Sequence, residues 1–209
     1  MKILFLDLAS HPSDALQGGT IACVTESAVP AHVSVDHRIG DEALLPLAED
    51  CLRRAGWSFK DLTHVACILG PGGFTSLRVG VAAANALSYA LKIPACGIHL
   101  SDLYESRVTS HESPVWLHST KKTHLFVRGF GAAKDAASEP VCLTLDAAKA
   151  ILKSECSWMG ELIPEQRALV EAAGLSPTEL KPLTDVLPGF LAAQTYSSQT
   201  LEPWYGREW

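Results

Sequence analysis

The sequence has no excess of positive charge, and this limits the partners that it can bind alone. Its 209 residues include 17 Lys and Arg against 23 Asp and Glu, which gives a formal net charge of -6. A protein that grips nucleic acid by itself contacts the phosphates through clustered Lys and Arg side chains. We therefore expect any contact with RNA to need a partner protein.

Cysteine and histidine are present, but not in the spacings of metal or redox motifs. No Cys-x-x-Cys pair occurs, and none of the 8 histidines forms a His-x-x-x-His or His-Glu-x-x-His pair. The sequence thus lacks the ligand pattern of a zincin-type peptidase, and we predict no metal site. Several cysteines fall in apolar strand or helix patterns, which favours buried thiols in a reducing compartment. The cysteines are Cys23, Cys51, Cys67, Cys96, Cys142 and Cys156.

Long hydrophobic runs are missing as well. No apolar stretch reaches the roughly 20 residues of a membrane span, and residues 1–8 are too short for the hydrophobic region of a signal peptide. Hydrophobic residues nevertheless make up 47% of the chain, which is enough to bury one sizeable core or two small lobes. We predict a folded cytoplasmic protein.

Apolar periodicity predicts an α/β order for the first half of the chain. A continuous apolar run at 2–8 is typical of a strand buried on both faces. Residues 41–55 repeat apolar side chains at the spacing of an amphipathic helix that stops at Gly56. We predict three strands, a helix, a strand, a helix and a strand, at 2–8, 20–25, 31–35, 41–55, 65–69, 75–91 and 95–98.

The second half indicates a smaller set of elements. Residues 115–119 and 125–130 predict a hairpin, and 140–145 predict a further strand. Helices are predicted at 147–153, 164–173 and 185–193.

A glycine-rich loop at 70–80 joins a predicted strand to a predicted helix. Gly72 and Gly73 permit positive φ angles, and Thr75 or Ser76 can cap the helix. Free amides at such a helix start favour an anion, so one interpretation is a phosphate cradle. The other is a plain turn with close backbone packing. We favour the turn, because the loop lacks the Lys-Ser/Thr ending of a Walker motif and the dinucleotide fingerprint.

The helix at 75–91 carries many small residues, which leaves two interpretations open. One face packs on its own sheet through side chains such as Leu77 and Val81. A second small-residue face could instead dock a partner helix, since small side chains permit a short distance between helix axes.

Four motifs resemble those of the TsaB family, also called YeaZ. The family's first strand is similar to ILFLDLAS at 3–10, and its first helix to GDEALLP at 40–46. Its loop and helix signature is similar to GPGGFTSLRVG at 70–80, and its tail to EPWYGR at 202–207. The resemblance covers about 1–105 and 201–207.

The resemblance implies an α/β fold with two actin-like, ribonuclease H-like lobes. Each lobe is a mixed sheet flanked by helices, and the second lobe is degenerate. The implied domains are an N-terminal lobe at 1–108, a smaller C-terminal α/β lobe at 109–200, and a tail at 201–209 that packs back on the first lobe.

The implied function is that of a non-catalytic scaffold or activator. In this family the chain pairs with a catalytic paralogue, TsaD, which places a threonylcarbamoyl group on the adenosine beside the tRNA anticodon, and a small ATPase, TsaE, is the third component. ATP and Mg would be bound by the partners, tRNA only through the complex, and a homodimer is an alternative pairing. On this basis we expect no catalytic residue and no cofactor here. We assign partner binding to Leu44, Leu47, Cys51, Phe74, Arg78, Gly80, Ala83, Ala84 and Leu87.

An enzyme is the alternative, either a small kinase-like ATP phosphotransferase or a glycoprotease-like peptidase. An actin-type ATPase needs a glycine-rich phosphate loop after its first-strand aspartate, but Asp7 here precedes Leu8-Ala9-Ser10 and the next glycine is Gly18. We therefore predict that backbone amides cap Asp7 rather than that it binds a metal. If a nucleotide loop exists, its candidates are Asp7, Ser10, Gly72 and Gly73.

Three positions depart from the family's pattern. Leu8 lies in the first-strand motif, Gly40 stands where the first-helix motif has His, and His118 stands where the second lobe opens with an Asp-Ala-Arg/Lys sequence. These departures leave open that the chain has changed its partner.

Overall fold

The computed structural model describes residues 1–10, 18–109, 113–135, 137–152 and 157–206. The chain divides into two compact units: unit 1 is Met1–Leu100 with Pro182–Trp204, and unit 2 is Ser101–Lys181 with Tyr205–Trp209. These boundaries differ from the predicted ones, because the last helix and the segment after it lie in unit 1 rather than in the second lobe. In the described part, no helix is both long and apolar enough to cross a membrane.

Unit 1 contains a five-stranded mixed sheet with the order β3-β2-β1-β4-β5. Its first three strands form an antiparallel meander, whereas β1, β4 and β5 run parallel. All of β1 is buried, as expected for a central strand that is covered on both faces. The predicted strands are confirmed to within two residues at their ends. They are β1 (Ile3–Asp7), β2 (Gly19–Val24), β3 (Ala31–Val35), β4 (His64–Gly70) and β5 (Ala95–His99).

Two helices pack on the same face of this sheet, α1 (Asp41–Arg54) and α2 (Phe74–Leu91). Their buried side chains share one hydrophobic core with alternate residues of β1, such as Leu4 and Leu6. A third helix, α6 (Leu183–Ala192), also belongs to unit 1. The helix cap was predicted wrongly: α2 begins at Phe74 with Gly73 as its N-cap and without a side-chain cap. Thr75 and Ser76 therefore lie inside the first turn.

Unit 2 repeats the sheet topology of unit 1. Its strand order is β10-β9-β6-β7-β8, with β6, β7 and β8 antiparallel and β6, β9 and β10 parallel. Read from the other edge, this is the order of the first sheet, so the predicted fold of two similar α/β lobes is confirmed. The strands are β6 (Val115–Lys121), β7 (His124–Gly129), β8 (Val141–Thr144), β9 (Ser157–Glu161) and β10 (Ser176–Pro177).

Three short α-helices occur among the described residues of unit 2. They are α3 (Leu100–Glu105), which begins at the boundary, α4 (Leu145–Ile151) and α5 (Pro164–Ala172). Thr144 caps α4 by accepting a hydrogen bond from the Ala147 amide. The predicted helix at 147–153 is thus shifted toward the N-terminus, and its last residue lies outside the described residues.

Candidate functional site

The glycine loop is a tightly packed connection between β4 and α2. Gly70 adopts φ 147°, and a Cβ there would lie 2.1 Å from the Trp204 carbonyl oxygen. A Cβ on Gly72 would lie 2.8 Å from the Ala9 Cα atom. The expected positive φ angles at Gly72 and Gly73 were wrong, since Gly70 has the positive φ and Gly73 has φ -61°. Backbone from β1's end and from the chain end therefore approaches the loop, which is the close-packed turn of the second interpretation.

Asp7 is held by the backbone that follows it. Its Oδ1 atom accepts hydrogen bonds from the amides of Ala9 and Ser10, each 2.9 Å long, and its Oδ2 atom accepts one from the Ser10 hydroxyl. The side chain is 1% exposed. This is the amide-capped carboxylate that we predicted. Within the described ranges, no group of three or more His, Cys, Asp or Glu residues could hold a metal ion.

An apolar groove of about 660 Å³ lies between α1 and α2. Leu45 on α1 and Phe74 at the start of α2 expose 51% and 47% of their surface. Isolated exposed apolar residues are common, but a contiguous apolar groove marks a binding surface. The groove is lined by Asp41, Leu44, Leu45, Phe74, Thr75, Arg78, Val79, Ala82, Ala83, Ala86, Leu87 and Ala90.

The two faces of α2 differ in what they contact. Leu77, Val81 and Ala84 are buried in unit 1, and a Cβ on Gly80 would make ordinary contacts with Leu8 and Cys67. On the groove side, side chains recur every four residues from Phe74 through Arg78 to Ala90, which places them along one line of the helix. The packing face and the exposed small-residue face that we weighed as alternatives therefore occur on the same helix.

Charged groups lie at the edges of the groove. The Arg78 guanidinium lies 5.2 Å from the centroid of the Phe74 ring, a cation–π contact. No carboxylate in the described part of the chain lies within ion-pair distance of Arg78. Asp41 lies on the opposite wall, in the first turn of α1. The groove thus combines an apolar floor with one cation and one anion at its rim.

The predicted partner-binding residues differ in where the structure places them. Phe74, Arg78, Ala83 and Leu87 line the groove. Leu47 is half-buried against the core without lining the groove. Leu44 lines the groove, but it is 2% exposed. The core encloses Cys51, Gly80 and Ala84, so these three offer no surface to a partner.

Several groove residues were missed by sequence reasoning, chiefly Leu45, Ala82, Ala86 and Ala90. The four-residue recurrence of alanine on α2 was a usable signal. It was not used because alanine is found on both buried and exposed helix faces.

The segment that follows α6 is hydrogen-bonded to α2 and to two strands of the sheet of unit 1. The Asn85 side chain donates to the Leu201 carbonyl and accepts from its amide, each at 2.9 Å. Ser197 pairs with Ala95 on the edge strand β5. The Trp204 amide donates to the Leu69 carbonyl at 2.9 Å, and its ring meets His99 edge-on with centroids 4.5 Å apart. The tail motif thus packs on unit 1 up to Trp204, while Arg207 and Trp209 lie outside the described residues.

Unit 2 places a buried polar cluster where the family pattern has an aspartate. His118 is fully buried, with its Nδ1 atom 3.6 Å from Glu161 Oε2. The Tyr104 hydroxyl donates to Glu161 Oε1 at 2.7 Å. His118 also stacks on Trp116, with ring centroids 5.7 Å apart.

A second polar cluster of unit 2 is centred on Arg128, which pairs with Asp102 and donates to the Ser101 hydroxyl. These contacts stabilise unit 2 and do not form an open site.

Sequence comparison relates the chain to two groups of proteins. The family model described as "TsaD: tRNA N6-adenosine threonylcarbamoyltransferase" matches residues 21–143, more than half of the chain. The tRNA threonylcarbamoyladenosine biosynthesis protein TsaB of Escherichia coli is 30% identical over 98 residues, which are 47% of this chain and 40% of that protein. A tRNA N6-adenosine threonylcarbamoyltransferase of Nitrosospira multiformis is 44% identical over 71 residues, or 34% of this chain and 20% of that protein. The matches therefore span less than half of these relatives.

Structure comparison extends the similarity of fold to both units. YeaZ from Pseudomonas aeruginosa superimposes with a TM-score of 0.66 at 16% identity and covers 97% of this chain and 99% of its own. A crystal structure described as an uncharacterized protein with similarity to peptidase YEAZ, also from Pseudomonas aeruginosa, gives a TM-score of 0.71 at 17% identity, with 99% of both chains covered. At these identities the likeness concerns the fold alone.

Proposed function

Because the chain belongs to the TsaD, tRNA N6-adenosine threonylcarbamoyltransferase, family and carries the motifs of TsaB, we propose that it is an accessory subunit in tRNA threonylcarbamoyladenosine biosynthesis. In this role it docks a catalytic TsaD-like paralogue through the groove between α1 and α2. The chain supplies a folded surface, and the paralogue supplies the reaction centre.

The groove is the observation that carries this proposal. Its floor is built from alanine side chains of α2, which let another helix approach closely. Phe74 and Leu45 give a partner two large apolar side chains to bury, and aromatic side chains such as that of Phe74 contribute strongly to the energy of interfaces. Arg78, which has no carboxylate partner among the described residues, is available to an acidic group of the partner.

A supporting role rather than a catalytic one is favoured by the first lobe. The Asp7 carboxylate is already bound by two amides and a hydroxyl, so a metal or nucleotide would have to displace these bonds. Gly40, at the N-cap of α1, offers no ligand where the family motif has His. We propose on these grounds that nucleotide and magnesium are bound by the partner subunits.

The same reasoning extends to the other components. A TsaE-like ATPase would join the pair as a third subunit, and a second copy of this chain would compete for the same groove when the paralogue is absent. The net charge of -6 supports contact with tRNA only through the complex. A cytoplasmic location fits this substrate.

A charge placed in the groove tests the proposal. Ala86 is exposed on α2 and lines the groove, so Ala86→Glu introduces a carboxylate there without entering the core. The matched control is Ala150→Glu, because Ala150 is also an exposed helical alanine but lies on α4 in unit 2. Both variants are compared with the unaltered chain by calorimetric titration against the catalytic paralogue of the same organism, and by mass spectrometry of tRNA nucleosides.

We expect Ala86→Glu to weaken binding at least about 30-fold, the usual cost of disrupting a central interface position. Modification of tRNA by the reconstituted subunits should fall in parallel, while Ala150→Glu leaves both unchanged. Undiminished binding and modification by a folded Ala86→Glu chain would count against the groove as the docking site.

A further inference from the structure

Two buried cysteines of unit 1 are in direct contact. Cys23 on β2 and Cys51 on α1 place their Sγ atoms 3.6 Å apart. Neither residue has any exposed surface. Their separation of 28 positions in the sequence means that the fold, and not a local motif, brings the thiols together.

The contact is specific to this pair among the described cysteines. The Cys51 thiol also points to the Ile21 carbonyl, at 3.5 Å, which fixes it over β2. By contrast, the Sγ atoms of Cys67 and Cys96 each approach the carbonyl of the next residue, at 3.5 and 3.7 Å. Cys23 and Cys51 therefore form a thiol pair on two different elements, whereas the thiols of Cys67 and Cys96 have backbone partners.

The contact shifts the pKa values of the two thiols in opposite directions. The hydrogen bond to Cys51, together with burial, raises the pKa of Cys23 far above its usual value. The hydrogen bond from Cys23 lowers the pKa of Cys51, while burial opposes this. The thiolate is the form of a cysteine that reacts with oxidants.

We propose that Cys23 and Cys51 are an intramolecular disulfide site that a small neutral peroxide oxidises. In the first step the Cys51 sulfur attacks hydrogen peroxide: the O–O bond breaks, a sulfenic acid forms and one water leaves. In the second step the Cys23 sulfur attacks the sulfenic sulfur: the S–S bond forms and a second water carries away the hydroxyl group and the remaining thiol proton. The two sulfurs are together oxidised by two electrons, and one peroxide is reduced to two waters.

The bond would join α1 to the sheet that it covers. Because α1 forms one wall of the groove, oxidation would fix that wall to β2. Both thiols are enclosed, so the reaction requires local opening and is slower than oxidation of an exposed thiol. The inference rests on the thiol contact alone and does not depend on the proposed function.

The sequence permits a direct peptide test. Trypsin cleavage after Lys2, Arg38 and Arg53 yields peptides 3–38 and 39–53, and each of them contains one cysteine. The folded full chain is treated with hydrogen peroxide, its remaining thiols are alkylated after unfolding, and the digest is analysed by mass spectrometry with and without reductant. Circular dichroism before digestion verifies that the chain remains folded.

We expect most of the two peptides to be recovered as a joined pair, lighter by two hydrogen atoms than their sum, which reductant separates. Cys23→Ala and Cys51→Ala should each abolish the pair, and Cys67→Ala, an equally buried control, should retain it. In the oxidised chain the thermal midpoint of unit 1 should rise by roughly 5 to 10 °C.

If a variant fails to fold, the peptides recovered from the unaltered chain are sufficient to test the disulfide. Recovery of both peptides with alkylated thiols, or with separate sulfinic or sulfonic acids, would overturn the proposal. Joining of either peptide mainly to a third cysteine would overturn it as well.

Discussion

The two units share one sheet topology but differ in the length of their paired helices. α1 and α2 of unit 1 have 14 and 18 residues, whereas α4 and α5 of unit 2 have 7 and 9. A five-residue strand spans about 17 Å, while α2 spans about 27 Å and α5 only about 14 Å. α2 therefore extends beyond a five-residue strand, whereas α5 is shorter than one.

The extra length produces a surface in one unit that the other does not have. Between α1 and α2 the groove measures about 660 Å³, whereas the crevice between α4 and α5 measures about 60 Å³. In unit 2 the Gln166 amide crosses to the carbonyls of Lys121, Lys122 and His124 and ties α5 to the β6–β7 turn. The larger apolar groove therefore belongs to unit 1, which is the unit that we propose binds the partner.

The largest expected effect is on the free energy of unfolding, and it should differ between substitutions on the two faces of α2. Ala84 has 0% exposure, so Ala84→Arg would bury an unpaired charge and a large side chain in the core. We expect a loss of about 4 kcal/mol or more in the free energy of unfolding. Ala82→Arg, on the groove side of the same helix, should change it by less than about 1 kcal/mol. Urea titration followed by circular dichroism measures both, and equal losses would contradict the assignment of faces.

The next largest effect is a loss of stability when the packing of Trp204 against Gly70 is disturbed. In Gly70→Ala the new Cβ would meet the Trp204 carbonyl at 2.1 Å, at a backbone φ of 147°. We expect a loss of at least about 2 kcal/mol and faster proteolysis after 194. The control is Gly189→Ala in α6, where a Cβ meets nothing within 4 Å. It should leave stability unchanged or raise it by up to about 1 kcal/mol. If the two variants are equally stable, the tail contact at Gly70 is unimportant.

A smaller effect should distinguish the two helix pairs in binding. Phe74→Ala removes an apolar anchor of the groove, and we expect affinity for the catalytic paralogue to fall by about 10- to 30-fold. Leu169→Ala alters a residue that is 39% exposed beside the crevice of unit 2, and it should leave affinity unchanged. Surface plasmon resonance measures both constants. A greater loss for Leu169→Ala would place the binding surface on unit 2.

The smallest expected effect is a pH dependence of stability that arises from His64 in unit 1. Burial, with a smaller contribution from the N-terminal ammonium, lowers the pKa of His64 below its usual value. In the unfolded chain His64 takes up a proton near pH 6.5, whereas in the folded chain it does so only at a lower pH. Stability should therefore decline as pH falls through the usual histidine pKa. Urea midpoints at about pH 7.5 and about pH 5.5 should differ less for His64→Gln than for the unaltered chain, and an unchanged difference would exclude His64 as the cause.

The elements of unit 1 could be predicted because their signals are local. β1 is a continuous apolar run, and α1 repeats apolar side chains at helical spacing, so both were found within two residues of their bounds. The requirement for glycine at position 70 could not be predicted, because it depends on close contact with Trp204, which lies far along the chain. The division into units differs from the predicted domains for a similar reason, since only tertiary contacts assign α6 to unit 1.

The candidate site was partly predictable. The glycine loop and the small residues of α2 pointed to a docking helix, and the structure places Phe74, Arg78, Ala83 and Leu87 along its groove. Sequence alone did not separate Ala84, which is buried, from Ala82 and Ala86, which are exposed. Alanine has too little side chain for its type to indicate burial, so the two faces became distinct only in the folded chain.

Hydrogen–deuterium exchange of the chain alone and in complex with the catalytic paralogue tests the central claim most directly. We predict slower exchange on binding in peptides that cover 41–47 and 74–90, because these form the groove between α1 and α2. Peptides that cover 145–152 and 164–173, from the corresponding helices of unit 2, should exchange at the same rate in both states. A stable complex with protection only at α4 and α5, and none at α1 and α2, would contradict the account.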